Sequence, residues 1–321
     1  MHVHFLHPPD PQPLDYLKSL LDRDINISSG EIQPEHRLAS VLVAGRPTYQ
    51  ELQLFNDLKT LIVPWTGIPP ETLAAVKRLP HLKLHNLHHN AISVSEMAIT
   101  LMLAAAKRVI PFDQHLRGGN WELRYQEAVV PLLAGKRALI VGYGEIGRRI
   151  SSILEALDIK VKAIRRTPLP DSGTDIHRPD ELRDLLPETD ILFLTLPLTS
   201  ETESLISKYE LALLPDGAIL INISRGKVVD QEALYIALKE KRLFGAGLDV
   251  WYNYPADQES RSNTFPGDFP FHELENLVLS PHRGGLVRET EILRMKALAA
   301  LLNAAARDEQ IPNSVNINLG Y

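Results

Sequence analysis

Short apolar runs alternate with amphipathic stretches from the first residues of the chain. Val3–Leu6, Ser40–Ala44, Thr60–Val63 and Lys83–His85 read as strands, with Pro13–Leu21, Thr48–Phe55 and Pro70–Arg78 as helices between them. Ser93-Val94-Ser95-Glu96 has the spacing of a capping box and predicts a long apolar helix running to about Val109. Arg117-Gly118-Gly119-Asn120 then breaks the pattern. A second series begins at Arg137–Val141 and continues with Val161–Ile164, Asp190–Leu194, Ala218–Ile223, Phe244–Val250 and Leu277–Leu279. These runs are almost continuously apolar, as strands covered on both faces must be. Helices are predicted from Glu145, Ser207 and Gln231, the last capped by Asp230, and a final amphipathic helix spans about Leu286–Ala306. Strand–helix alternation implies βαβ units, so the fold class is α/β with two doubly wound parallel-sheet domains.

Composition narrows the function classes. A chain of 321 residues has room for two cores. A formal net charge of −6 gives no reason to expect nucleic acid or an anionic membrane as partner. The absence of cysteine removes disulfides, thiolate catalysis and cysteine-held metals, and is compatible with the cytoplasm. The opening MHVHFLHPPD lacks the basic region of a leader, and the longest apolar run, Ile99–Ala106, is too short to span a bilayer.

Gly142-Tyr143-Gly144-Glu145-Ile146-Gly147 is a G-x-G-x-x-G turn that follows the strand Ala138–Val141 and opens a helix. That context gives the motif its meaning: a tight turn, a close approach of backbone to pyrophosphate, and helix amides aimed at the anion. The next strand ends at Ile164, where a carboxylate would grip an adenosine 2′-hydroxyl. The chain instead has Arg165 and Arg166, followed by Thr167. Guanidinium welcomes a 2′-phosphate, so the expected cofactor is NADP in preference to NAD.

Three strand ends carry chemistry: Asn222-Ile223-Ser224-Arg225-Gly226, Gly247-Leu248-Asp249-Val250 and Ser280-Pro281-His282-Arg283-Gly284-Gly285. Ligands of open α/β sheets bind beyond the carboxyl ends of strands. Arginine offers a fork to a carboxylate, histidine a proton near neutral pH, and Asp249 an acceptor for a nicotinamide carboxamide.

These motifs, with LPLTSETESLI at Leu196–Ile206, resemble the D-specific 2-hydroxyacid dehydrogenase family over nearly the whole chain. The resemblance implies a flavodoxin-like substrate domain, 1–98 plus 285–321, and a Rossmann NAD(P)-binding domain, 99–284. It implies hydride transfer between NAD(P)H and a small 2-keto or 2-hydroxy acid, and a homodimer. Arg225 would bind the substrate carboxylate and His282 would act as acid/base. Ile223, Ser224 and Gly284 would line the cofactor, as would Thr195, Leu196, Pro197 and Thr202. Thr66, Gly67 and Asn90 would meet the substrate.

The chain departs from that family where a glutamate is expected beside the histidine. Tyr254 stands there, a third candidate catalytic residue. A phenol can hold the ring but brings no charge at neutral pH. Asp257, Glu259 or Glu273 could supply a carboxylate instead. A second departure is His81, His85, His88 and His89 within nine residues; no metal site is expected there, and His88 and His89 are expected to shape a pocket mouth. Two other functions fit the same motifs: oxidation of a small anion such as formate or phosphite, and NAD(P) sensing with little turnover.

Overall fold

The computed structural model describes residues 1–127, 130–167 and 173–321. Two compact units emerge from it, Met1–Asn90 with Leu286–Tyr321, and Ala91–Gly285.

The first unit contains β1 (His2–Phe5), α1 (Pro11–Leu20), β2 (Asn26–Ser29), β3 (Val41–Val43), α2 (Tyr49–Gln53), β4 (Thr60–Ile62), α3 (Pro70–Lys77) and β5 (Lys83–His85). Its sheet has the order β2-β1-β3-β4-β5, all parallel. Leu42, Leu61 and Leu84 pack on one face and Val3, Phe5, Val43 and Ile62 on the other. Both faces are therefore buried, which is why β3 is apolar throughout and β4 carries a single polar residue, the buried Thr60.

The second unit opens with α4 (Ala91–Ala106) and α5 (Val109–Arg117). Its sheet strands are β6 (Arg137–Val141), β7 (Lys160–Ile164), β8 (Asp175–His177), β9 (Ile191–Leu194), β10 (Ala218–Asn222), β11 (Leu243–Leu248) and β12 (Leu277–Leu279). They lie in the order β12-β11-β10-β9-β6-β7-β8, again all parallel. The connecting helices are α6 (Glu145–Ala156), α7 (Leu182–Leu185), α8 (Lys208–Leu213) and α9 (Gln231–Lys239). Strand order reverses between β6 and β9, so the loops after those strands diverge and leave a crevice. The Asp230 side chain accepts from the Ala233 amide at 2.8 Å and caps α9. The last helix, α10 (Thr290–Ala306), returns to the first unit, where Met295, Leu298 and Leu302 pack with Val3, Phe5 and Leu17.

Four expectations are corrected. The Ser93 capping box does not form: α4 starts at Ala91, Ser93 and Ser95 are buried within it, and the Ser95 hydroxyl donates to the Ile92 carbonyl at 2.6 Å. Packing of Ala91 and Val94 outweighs the local cap. The same helix stops at Ala106, and Arg108, at φ 50°, separates it from α5. The last helix begins at Thr290, not Leu286, because the Thr290 hydroxyl closes a turn over the Val287 carbonyl at 2.8 Å. Finally, β2 and β8 were not expected; both are edge strands. Among the described residues no helix is long and apolar enough to cross a membrane.

Candidate active site

The glycine turn lies at the strand-order reversal of the second unit. Gly142 has φ +105°, and a side chain there would stand 2.8 Å from the Leu196 amide nitrogen. At Gly147 a Cβ would stand 2.5 Å from the Gly142 carbonyl oxygen and 3.2 Å from Ile140 Cγ2, so the helix approaches the turn too closely for any other residue. Gly144 faces open space instead, beside the start of α6 at Glu145 and Ile146. The first amides of a helix have no acceptor within it, so this end of α6 is suited to an anion. The Thr195 amide donates to the Val141 carbonyl at 2.9 Å, which brings the β9 loop beside the turn. Leu196 and Pro197 follow in that loop. The Thr202 hydroxyl donates to the Pro197 carbonyl at 2.7 Å and accepts from the Thr199 amide at 2.8 Å, holding the loop closed. These residues fit a dinucleotide: a compact turn, an unfilled second glycine and free helix amides.

Arg165 and Arg166 differ. Arg165 donates from Nη1 to the Tyr143 carbonyl at 3.2 Å, which turns its guanidinium back over the glycine turn. Arg166 pairs with Glu201. Thr167 is exposed and follows directly. The Tyr143 hydroxyl meets the Thr174 hydroxyl at 2.7 Å and fixes the turn from below.

Beyond β10, β11 and β12 lies the second cluster. Asp249 is buried and accepts three bonds, from the Ser280 hydroxyl at 2.5 Å, the Arg283 amide at 2.8 Å and the Gly284 amide at 2.8 Å. One carboxylate therefore gathers the whole 280–284 loop. His282 sits within that loop at φ 58°, a region that non-glycine residues visit rarely, and over-determination by the Asp249 bonds holds it there. Trp251 braces the same loop by donating from Nε1 to the Ser280 carbonyl at 2.7 Å.

Tyr254 Oη lies 2.9 Å from His282 Nδ1 and accepts from the Trp251 amide at 3.1 Å. The other carboxylates considered for this place are turned elsewhere: Asp257 accepts from the Ser260 amide at 2.8 Å, Glu273 faces His272, and Glu259 opens a short turn at 259–262. Burial, then the charge of Arg225, pulls the His282 pKa below the usual imidazole range, and Asp249 opposes them. Arg225 is itself exposed on one side, yet the protein around it removes enough water to lower its own pKa.

Sequence reasoning missed the residue that shapes the β10 loop. The Asn222 side chain accepts from the Ser224 amide at 3.0 Å and its hydroxyl at 2.7 Å, and donates to the Arg225 carbonyl at 3.0 Å. Ile223 and Ser224 are thereby buried and Arg225 is projected outward. An asparagine closing a strand, with a serine two residues on at Ser224, was the available signal.

Within the first unit, the Thr66 hydroxyl donates to Asn90 Oδ1 at 2.6 Å and the Asn86 amide group donates to the Thr66 carbonyl at 2.5 Å. Thr66, Gly67 and Asn90 thus belong to one cluster of loops. His85 is buried and bonded through Nδ1 to the Pro312 carbonyl at 2.8 Å. Burial, with Arg294 and His88 nearby, lowers the His89 pKa to about 4, so that ring is neutral at physiological pH. Among the described residues no three of His, Cys, Asp and Glu gather as a metal site.

Known proteins are similar to this chain in sequence and in fold. The family described as "D-isomer specific 2-hydroxyacid dehydrogenase, NAD binding domain" matches residues 99–284. Glyoxylate reductase of Korarchaeum cryptofilum is 36% identical over 229 residues, which cover 70% of this chain and 66% of that protein. Glyoxylate reductase of Thermococcus litoralis is 36% identical over 231 residues, with the same coverage of 70% and 66%. The chain thus spans 66% of the length of these relatives, just short of two thirds. A D-isomer specific 2-hydroxyacid dehydrogenase from Xanthobacter autotrophicus Py2, solved with NADPH and MES, shares the fold at a TM-score of 0.82 and 22% identity, covering 100% of this chain and 99% of its own. With a glycine turn at the switch point of a parallel sheet and a family match across that whole sheet, the chain belongs to the D-isomer specific 2-hydroxyacid dehydrogenases.

Proposed function

We propose that this protein is an NAD(P)H-dependent reductase of a small 2-keto acid. The observation that carries the reading is the grouping of Arg225 and His282 beyond the carboxyl ends of a dinucleotide-binding sheet, with His282 Nδ1 held by Tyr254 at 2.9 Å. With Nδ1 occupied, Nε2 is the nitrogen left to face a substrate. The bound dinucleotide supplies the hydride. Arg225 binds the substrate carboxylate by parallel N–H bonds and polarises the adjacent ketone. His282 delivers the proton to the ketone oxygen as charge builds there. Asp249 keeps His282 in place through the loop that carries it. The curated relatives' name, glyoxylate reductase, supports a short keto acid as substrate. The test is a panel of 2-keto acids with NADPH or NADH, followed by loss of nicotinamide absorbance. Turnover with short keto acids supports the reading. Reduction of the oxidised cofactor by formate or phosphite, or cofactor binding without any turnover, refutes it.

We assign NADP as the preferred cofactor on the strength of Arg165, which borders the glycine turn. A charge-assisted bond contributes about 1.5–3 kcal/mol. Arg165→Asp is therefore expected to shift the NADPH-to-NADH ratio of kcat/KM toward NADH by roughly 10- to 100-fold. An unchanged ratio removes the assignment.

A homodimer and a cytoplasmic location complete the proposal. No residue of α5 is buried, and Val109, Ile110 and Leu116 stand in water with Trp121 and Tyr125 beyond them. Apolar side chains gathered in this way mark a surface that is covered by a partner. The double variant Ile110→Asp, Leu116→Asp is expected to run at half the parent's mass by light scattering. A parent that already runs as a monomer refutes the dimer.

A further inference from the structure

The partner of the catalytic imidazole is a phenol whose oxygen already accepts a backbone amide. Trp251 N–H points at Tyr254 Oη from 3.1 Å, and His282 Nδ1 lies 2.9 Å away. Two arrangements satisfy the second contact. In one, Nδ1–H donates to the phenol; the oxygen then receives two donors, and Nε2 carries no proton for a substrate. In the other, the phenol donates to Nδ1, and the imidazole proton resides on Nε2. The amide bond favours the second, because an O–H whose oxygen accepts a bond becomes a better donor.

The surrounding charges favour a neutral ring. Arg225, at the end of β10, acts on both His282 and Tyr254, and Asp249, at the end of β11, opposes it. The pKa of His282 is lowered, chiefly by burial, so at neutral pH the imidazolium that would ordinarily donate a proton is scarce.

We propose that Tyr254 and His282 form a neutral proton relay, in which the phenol passes its proton to Nδ1 while the imidazole passes its Nε2 proton to the substrate oxygen. The proposal rests on the keto-acid reductase reading. Hydride from reduced nicotinamide forms the new C–H bond at the ketone carbon, and the C=O π electrons move to oxygen. That oxygen takes the Nε2 proton. The N–H bonding electrons stay on Nε2, and Nδ1 takes the phenol proton. The products are oxidised nicotinamide, the hydroxy acid, a neutral imidazole protonated on Nδ1, and a phenolate at Tyr254. Burial, helped by Asp249, raises the phenol's pKa and so works against the phenolate; the Trp251 amide, the Arg225 charge and the newly formed Nδ1–H offset part of that cost. Tyr254 is 48% exposed, so water restores its proton between turnovers. Tyr254 is a positioning residue: it never touches substrate, and acts through His282.

The relay predicts an unusual pH profile. A reductase whose donor is an imidazolium with a lowered pKa loses rate about tenfold per pH unit above that pKa. The relay keeps kcat/KM for reduction flat between about pH 7 and pH 9, above the lowered imidazole pKa and below the raised phenol pKa. Tyr254→Phe removes the proton source and is expected to fall about 10- to 100-fold below the parent at pH 8, the gap closing as pH drops and imidazolium forms. Tyr254→Glu provides a charged partner that raises the imidazolium pKa, so its reduction rate is expected to fall on the alkaline side where the parent's does not. A readout independent of turnover is the tautomer of His282 in the protein without cofactor, from nitrogen chemical shifts of the ring. A proton on Nε2 supports the relay; a proton on Nδ1 overturns it, whatever the variants do. Keto-acid turnover that falls tenfold per unit across neutral pH also overturns the relay while leaving the reductase reading intact. A protein with the Nε2 tautomer but no keto-acid turnover overturns that reading and the relay with it.

Discussion

His282→Asn is expected to lower kcat for keto-acid reduction by about 10²–10⁴-fold without weakening cofactor binding. Asparagine is the informative replacement. His282 sits at φ 58°, in the left-handed region, and asparagine is among the few residues that tolerate it. The backbone bonds from Arg283 and Gly284 to Asp249 remain available, so the loop keeps its path. What disappears is a group able to move a proton: an amide does not titrate in the useful range. The glycine turn lies after β6, and His282 after β12, so the substitution leaves the cradle of the dinucleotide untouched. The measurement pairs steady-state reduction with a fluorescence titration of NADPH. A decrease smaller than tenfold, or one explained by lost cofactor affinity, contradicts the assignment of His282 as acid/base.

The central strands of both sheets were legible because they are buried on both faces. Leu220 and Ile221 of β10, or Leu61 and Ile62 of β4, leave no polar position to confuse the period. The edges were not legible. β2 reads Asn-Ile-Ser-Ser and β8 reads Asp-Ile-His, with every residue at least partly exposed. An edge strand pairs on one side only and has no need of an apolar run. Its place is decided by the neighbour it pairs with, and that neighbour is distant in sequence: β2 is fixed by bonds to β1, and β8 by bonds to β7. The helix ends failed for a related reason. Ser93 satisfied a local rule, but burial along α4 carried the helix past it.

The candidate site divides in the same way. Arg225, Asp249 and His282 each follow an apolar strand, and a parallel sheet delivers strand ends to one edge, so their grouping was deducible. The partners that hold them were not. Ser280, Trp251 and Asn222 act through a single bond or a few short bonds whose geometry depends on how three loops fold against one another. Tyr254 lies between these cases. Its position five residues after Asp249, where the family has a glutamate, flagged it, but only the structure shows one phenol oxygen shared between a backbone amide and the imidazole.

Asp249→Ala is expected to destabilise the second unit by about 3–5 kcal/mol, since it leaves buried donors without an acceptor at about 1–3 kcal/mol each. The side chain serves the Ser280 hydroxyl and the Arg283 and Gly284 amides, and all three bonds are 2.8 Å or shorter. No water reaches this place easily: Asp249 is 3% exposed and Gly284 is buried with it. At roughly 2–4 °C per kcal/mol for a unit of this size, the melting temperature of the cofactor-free protein should drop by at least about 6 °C. Activity should fall as far as in the His282 variant, because the loop that fixes the imidazole loses its anchor. A role limited to accepting a bond from the nicotinamide carboxamide makes the opposite prediction: weaker cofactor binding, with the melting temperature of the cofactor-free protein unmoved. The two roles part at that one measurement. The bond geometry favours the structural one, since three of the carboxylate's roughly four acceptor positions are already taken by the loop.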